Sequence, residues 1–394
     1  MKRSVGKKSS RMPESSAVKG LTKAELERYS RQLVLPEMGP QGQQRLKGSS
    51  VLVVGAGGLG APASVHLAAA GVGRIGIVDH DVVEMSNLHR QTIYSEGDVG
   101  RPKARVAGER LHQVNPHVVV EPYDVRLSSA NALDLLKRYE VVIDCTDNFP
   151  ARYLINDACA LLGKPDVYAS IFRFDGQASV FYAKEGPCYR CLFPQPPPPE
   201  SVQDCAVAGV LGVLPGIMGS IQAVEALKLL LGRGAPLTGR LLLFNATDMT
   251  FNELRYKKNK NCPVCGTNPT VKGLIDYEEF CGVNKKPLLV EEVTPRELRR
   301  VMDTQGEVVL LDVREPSEHE LCRIEGSILI PLEELEKRAN ELNRGADIVV
   351  YCHVGVRSAR AVQLLSSMGF GRVRNLKGGI SAWARDVDPQ MPTY

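Results

Sequence analysis

A chain of 394 residues is too long for one compact domain, and at about 100–200 residues per domain two is the expected number. Its 43% hydrophobic and 24% charged content excludes wholesale disorder and a coiled-coil rod, and no run reaches the roughly 18 consecutive apolar residues of a membrane span. The formal charge of +4 divides unevenly: Lys2, Arg3, Lys7, Lys8, Arg11 and Lys19 against Glu14 give the first twenty residues +5, leaving −1 for the other 374. Residues 1–20 therefore read as a basic, disordered, solubilising tail, the alternative being a nucleic-acid arm, and the near-neutral body gives little reason to expect nucleic acid. The tail lacks the apolar stretch of a secretory signal, so the chain is expected in the cytoplasm.

After the tail, LTKAELERYSRQLVL places Thr22 three residues before Glu25, a capping-box helix start. Val51–Val54 is a short, wholly apolar run, as for a strand buried on both faces of a parallel sheet. Ala61–Ala70 reads as a small-residue helix and Arg74–Asp79 as a second strand, completing a βαβ unit. Helix 103–114, strand 118–123, helix 130–138 and strand 141–144 continue the alternation, which predicts a doubly wound α/β sheet. The prolines at 196–199 make 194–204 a surface connection, and aperiodic residues 273–288 read as an interdomain linker. Strands at 308–313 and 348–351 and a helix at 358–368 then predict a second, smaller α/β domain over 289–394, behind a first spanning 21–272.

GAGGLG at 55–60 satisfies G-x-G-x-x-G between a strand and a helix, where glycine lets phosphate approach the backbone and the helix N-terminus supplies oriented N–H groups. Asp79, ending the next strand, stands where a ribose hydroxyl is bound. These residues alone fit NAD as well as ATP. The cations distinguish the two: Arg31, Arg90 and Lys103 suit displacement at phosphate, where developing charge must be neutralised, and Asp147 suits Mg²⁺.

RYSRQ, GAGGLG, DHDVVEMSNLHRQ, GRPKA and DCTDN, in this order, resemble the MoeB/ThiF superfamily of ubiquitin-activating-type adenylyltransferases over residues 21–270. The resemblance implies a Rossmann-like fold, ATP rather than NAD, and adenylation of the C-terminal glycine of a small ubiquitin-like sulfur carrier of the MoaD/ThiS kind, ending Gly-Gly. By motif position it implies ATP contacts from Gly58, Asp79, Ser86, Asn87, Leu88, His89, Arg90, Lys103, Asp147 and Asn148. Arg31 resembles the arginine that reaches the phosphates from a partner subunit, which implies a homodimer.

Cys188/Cys191 and Cys262/Cys265 are two C-x-x-C pairs 70 residues apart. Four thiolates give Zn²⁺ a closed tetrahedral set, a structural clip with no open position for substrate. Cys205, in QDCAVAGVLGVLPG, resembles in its place the cysteine that forms a thioester or related covalent link in some relatives; the alternative is a cysteine buried at a loop-to-helix junction.

IVVYCHVGVRSAR at 348–360 reads as strand, loop and helix, with Cys352 opening the loop and Arg357 near its end. Inward N–H groups, the helix N-terminus and Arg357 would favour a thiolate nucleophile there. Four residues separate Cys352 from Arg357, one fewer than in a phosphatase loop, so the pocket suits a terminal sulfur better than phosphate. With LDVREPSEHE and NLKGGISAW the region resembles the rhodanese sulfurtransferases, although Cys322-Arg-Ile-Glu-Gly-Ser replaces the more usual Gly-His-Ile-x-Gly-Ala.

An adenylation domain joined to a rhodanese resembles the MoeZ-type adenylyltransferase/sulfurtransferases. The resemblance implies that a cysteine desulfurase or thiosulfate loads Cys352 as a persulfide, whose sulfur ends as a carrier thiocarboxylate. Molybdopterin, cysteine, thiamine and tRNA thiolation all remain open as pathways. The competing readings are an NAD-dependent oxidoreductase with an accessory rhodanese and a non-catalytic scaffold that docks ubiquitin-like proteins.

Overall fold

The structure is a computed structural model that describes residues 20–197, 209–282, 290–304 and 307–392. It divides into two units, Met1–Val283 and Asn284–Tyr394, each with its own sheet. Most of the basic tail, the end of the proline-rich connection and Cys205 lie outside the described residues.

In the first unit Thr22 and Glu25 exchange both bonds of a capping box ahead of helix Lys23–Arg28. Eight strands follow: β1 (Ser50–Val54), β2 (Arg74–Val78), β3 (Val119–Tyr123), β4 (Val141–Asp144), β5 (Asp166–Phe172), β6 (Asp175–Phe181), β7 (Arg240–Asn245) and β8 (Thr250–Arg255). They form one sheet in the order β3-β2-β1-β4-β5-β6-β7-β8. Neighbours from β3 to β5 are parallel, whereas β5 to β8 pair antiparallel, so the expected parallel sheet carries an antiparallel extension. The apolar run of β1 has the predicted cause: Val51 and Val53 enter the core with helices Gly60–Ala70 and Lys103–Val114, while Leu52 and Val54 face helix Phe149–Leu162.

Helix Leu214–Leu231 is long and apolar enough to cross a membrane, yet it packs on helix Gly60–Ala70 and on β5 and β6. Its buried Gln222 donates to the carbonyls of Asp144 and Val167, tying the helix to the ends of two strands. Such a polar bridge marks a core helix.

Part of the expected linker is instead structure. Asp276 accepts hydrogen bonds from the N–H groups of Glu278 and Glu279, capping a short helix Tyr277–Phe280. Tyr277 and Cys281 are buried in the same cluster as Tyr153 and Ile155, so residues 273–282 pack on the first unit. A four-residue helix held by tertiary contacts leaves no periodicity to read. The rest of that expected linker, 283–288, lies outside the described residues.

The second unit contains β9 (Glu292–Val293), β10 (Val308–Asp312), β11 (Ile328–Leu329), β12 (Asp347–Tyr351) and β13 (Val373–Leu376) in the all-parallel order β11-β10-β12-β13-β9. LDVREPSEHE builds its polar centre. Asp312 and Arg314 are both fully buried; the Arg314 Nη2 donates to Asp312 Oδ2 at 2.6 Å and to the Cys322 carbonyl at 2.7 Å, and His319 Nδ1 meets Asp312 Oδ2 at 2.9 Å. Removing one partner of a buried pair strands the other charge, so Asp312→Ala is expected to cost this unit about 3–5 kcal/mol. Urea unfolding of the whole chain, followed by the Trp383 fluorescence of this unit, measures it.

Candidate functional site

A cavity of about 650 Å³ opens at the carboxyl ends of β1, β2 and β4, where chain order reverses between β1 and β4. In an open α/β sheet that crevice is where ligands bind. Gly60 shows why the glycine motif is needed. A Cβ there would lie 1.9 Å from the Gly55 carbonyl oxygen, so only glycine lets the helix start this close to the turn. Gly57 and Gly58 border the cavity itself.

Asp79 lines the cavity at the end of β2, and its carboxylate accepts from the N–H groups of Ala56 at 2.7 Å and Asp81 at 2.8 Å. It thereby fixes the glycine turn. Burial raises its carboxyl above the ordinary value, against the lowering by those two N–H groups and by Lys103. Lys103 is 6% exposed, and its ammonium meets Asp81 at 3.0 Å. Arg90 donates to the Ser86 carbonyl and reaches the same cavity, as do Asp147 and Asn148; the Asn148 side chain caps helix Phe149–Leu162 through the Ala151 N–H.

The structure thus brings Gly58, Asp79, Arg90, Lys103, Asp147 and Asn148 to one cavity. Ser86, Asn87, Leu88 and His89 are not on its lining. Asn87 is buried and hydrogen-bonded to Glu84, Ser86 and Gln91, so it shapes the turn that carries Arg90. Arg31 is exposed and off the lining of its own chain's cavity.

Sequence reasoning missed three lining features. Arg152, 9% exposed, donates to the Thr146 carbonyl and lies over the Phe149 and Tyr168 rings. Its place in the first turn of the helix opened by DCTDN was the available signal. Gln91 is buried, its Oε1 without a hydrogen-bond partner among the described residues. The third is Ile275–Glu278, from the segment expected as linker.

The four paired cysteines converge as expected. Their sulfurs lie 3.9 Å (Cys188 to Cys191), 3.5 Å (Cys188 to Cys262) and 3.4 Å (Cys191 to Cys265) apart, all four within 4.8 Å of one another. Sulfurs each about 2.3 Å from a central zinc stand about 3.8 Å apart, so the set fits a tetrahedral ion. The Asn259 N–H also donates to the Cys191 sulfur. The purified chain is expected to carry a single zinc that Cys262→Ala abolishes, with Tm falling by about 2–4 °C for each kcal/mol lost; metal analysis and calorimetry check both.

In the second unit Cys352 directly follows β12 and is 1% exposed. Its sulfur accepts from the Gly355 N–H at 3.1 Å and lies 3.3 Å from the Ser358 hydroxyl, at the start of helix Val356–Ser367. Donors placed this way stabilise a sulfur anion. Gly379 packs beneath, where a Cβ would lie 2.4 Å from the carbonyl oxygens of Cys352 and His353; the Ile380 N–H caps the first of these carbonyls. Arg357 follows Gly355 by two residues and carries an ion pair that its motif does not announce. Glu318 binds it through both carboxylate oxygens, at 2.7 and 2.6 Å, and offsets its charge. Arg357 therefore braces the loop against helix Pro316–Leu321, and Gly355 and Ser358 donate to the sulfur.

Residues 29–264 match the ThiF family and residues 294–386 the rhodanese-like domain. The chain is 58% identical over 267 residues to the sulfur carrier protein adenylyltransferase of Thermus thermophilus, covering 66% of this chain and 98% of that one. It is 44% identical to the probable adenylyltransferase/sulfurtransferase MoeZ of Mycobacterium tuberculosis, over 95% of this chain and 96% of that one. It is 42% identical to the adenylyltransferase and sulfurtransferase MOCS3 of Aedes aegypti, over 97% and 92%. The crystal structure of Escherichia coli MccB with ATP shares the fold of the first unit, with a TM-score of 0.55 at 21% identity over 62% of this chain and 75% of that one. With its switch-point cavity, its four-cysteine cluster and a rhodanese-like unit carrying Cys352, the chain belongs to the ThiF family, in the branch of two-domain adenylyltransferase/sulfurtransferases.

Proposed function

We propose that this enzyme acts in the cytoplasm on a small ubiquitin-like sulfur carrier ending in Gly-Gly, first adenylating the terminal carboxylate with ATP and then converting it to a thiocarboxylate. The observation that carries the reading is the presence, in one chain, of a cation-rimmed cavity at a parallel-sheet switch point and a cysteine loop arranged to hold a sulfur anion.

A carboxylate approaches a polyphosphate against like charge, so screening and alignment are what the protein must supply. Arg90 and Lys103 provide cations on the cavity wall, and Gly57 and Gly58 let phosphate approach the backbone. Asp147, beside Asn148, would hold Mg²⁺, which when bound neutralises phosphate oxygens. Arg31 completes the site of a second copy, making the working unit a homodimer. The carboxylate oxygen attacks the α-phosphorus, the bond to the bridging oxygen breaks, and pyrophosphate leaves.

The second stage uses Cys352 carrying an extra sulfur, supplied by a cysteine desulfurase or thiosulfate. That terminal sulfur attacks the acyl carbon, AMP leaves, and an acyl disulfide joins carrier to enzyme. A further thiol, Cys205 or another, then attacks the Cys352 sulfur, freeing the thiocarboxylate and leaving a disulfide. The test of the first stage is ATP–pyrophosphate exchange with a Gly-Gly carrier. Exchange is expected with the free carboxyl terminus and none with a C-terminal amide; equal exchange with both would overturn the reading.

A further inference from the structure

We propose that Ile275–Glu278 is the base-side wall of the nucleotide pocket and sets how tightly the purine end of ATP is held, an inference that rests on the ATP-dependent reading above. The match to the ThiF family ends at residue 264, so this wall comes from outside the family's shared core. The cavity is polar where Arg90, Lys103 and Asp147 line it, but Val78, Leu127, Leu154 and Ile275 join one apolar cluster at its border. A purine is a flat apolar body with a polar edge, and an apolar slot beyond the ribose-side Asp79 suits it. Residues 125–130 follow β3, two strands from the glycine turn, which places the slot away from the phosphate end.

Contacts on both sides fix the wall. The Ser129 hydroxyl donates to the Ile275 carbonyl, and Arg126 pairs with Glu278 across the cavity rim. On the inner side the Tyr277 hydroxyl donates to Asp157 at 2.9 Å, and Asp157 also takes a bidentate bond from buried Arg190 at 2.9 and 2.8 Å. Arg190 sits between Cys188 and Cys191, so the wall hangs from the four-cysteine knuckle through one buried carboxylate. Ile275–Glu278 act as positioning residues: they shape the slot and leave the phosphates alone.

The experiment compares binding of ATP and of inorganic tripolyphosphate, both with Mg²⁺, to the full-length protein and its Ile275→Ala, Ile275→Val and Glu278→Arg variants. Ile275→Ala is expected to weaken ATP about tenfold and to leave tripolyphosphate unchanged, with Ile275→Val recovering most of the loss. In pyrophosphate exchange KM for ATP rises while kcat holds. Glu278→Arg, which opposes Arg126 at the exposed rim and does not touch the core, is expected to show the same split at about threefold. Equal weakening of both ligands, or unchanged ATP binding, would overturn the proposal. A parent protein that binds tripolyphosphate but shows no preference for ATP would overturn it as well. A parent that binds neither ligand would instead overturn the functional reading on which it rests.

Discussion

Mixing two inactive proteins, Arg31→Ala and Asp147→Ala, is expected to restore about a quarter of the parental ATP–pyrophosphate exchange. Each alone is expected to lose on the order of 10²–10³-fold, the effect of removing one charge-stabilising group from a phosphoryl-transfer site. The gain on mixing follows from where the two residues stand. Asp147 lines the cavity of its own chain, whereas Arg31 is exposed and outside that lining. In a symmetric dimer that shares Arg31 across the interface, half of the randomly mixed dimers are hybrids. Each hybrid has one site with both groups intact and one with neither. If Arg31 served its own chain, no site in the mixture would be complete and exchange would stay at background. Subunits must exchange during mixing, so brief co-denaturation or co-expression precedes the assay.

The second large effect separates the two halves of the chemistry. Cys352→Ala is expected to abolish thiocarboxylate formation, by on the order of 10³-fold or more, while ATP–pyrophosphate exchange stays at the parental rate. The sulfur of Cys352 is the acceptor for the Gly355 N–H and the Ser358 hydroxyl, and it is the one thiol in residues 352–358. Alanine takes away the sulfur proposed to carry the persulfide and leaves a small buried residue after β12. Loss of exchange together with sulfur transfer would mean that the variant had disturbed the first unit as well. Undiminished thiocarboxylate would assign the sulfur to another thiol, with Cys205 and Cys322 the next to test. Glu318→Gln probes the brace at lower cost, because it keeps the shape and one acceptor for Arg357 while removing the charge.

Local signals carried much of this arrangement, and the losses have physical causes. The strand at 51–54 and the helix starting at Gly60 were legible because apolar runs and glycine spacing are written in adjacent residues. The cysteine pairs were legible because a metal set needs only ligand type and spacing, and the fold then had to close 70 residues between them. The antiparallel extension was not, since β8 is exposed at every residue and shows no buried alternation. Nor was the wall at 275–278, whose order comes from Asp157, Arg126 and Ser129, residues more than a hundred positions earlier. Arg357 shows the converse: its motif position was plain, but its partner Glu318 stands 39 residues away in sequence.

The central claim is that one chain both activates a carboxylate and delivers sulfur to it. Its most direct test is the intact mass of a Gly-Gly carrier after incubation with the full-length enzyme, ATP, Mg²⁺ and a persulfide donor, followed by thiol reduction. The expected result is a gain of about 16 Da, sulfur for oxygen at the C-terminus, that requires ATP and is absent with Cys352→Ala. An unchanged carrier mass for every Gly-Gly carrier tried, or a gain that persists without ATP, would contradict it.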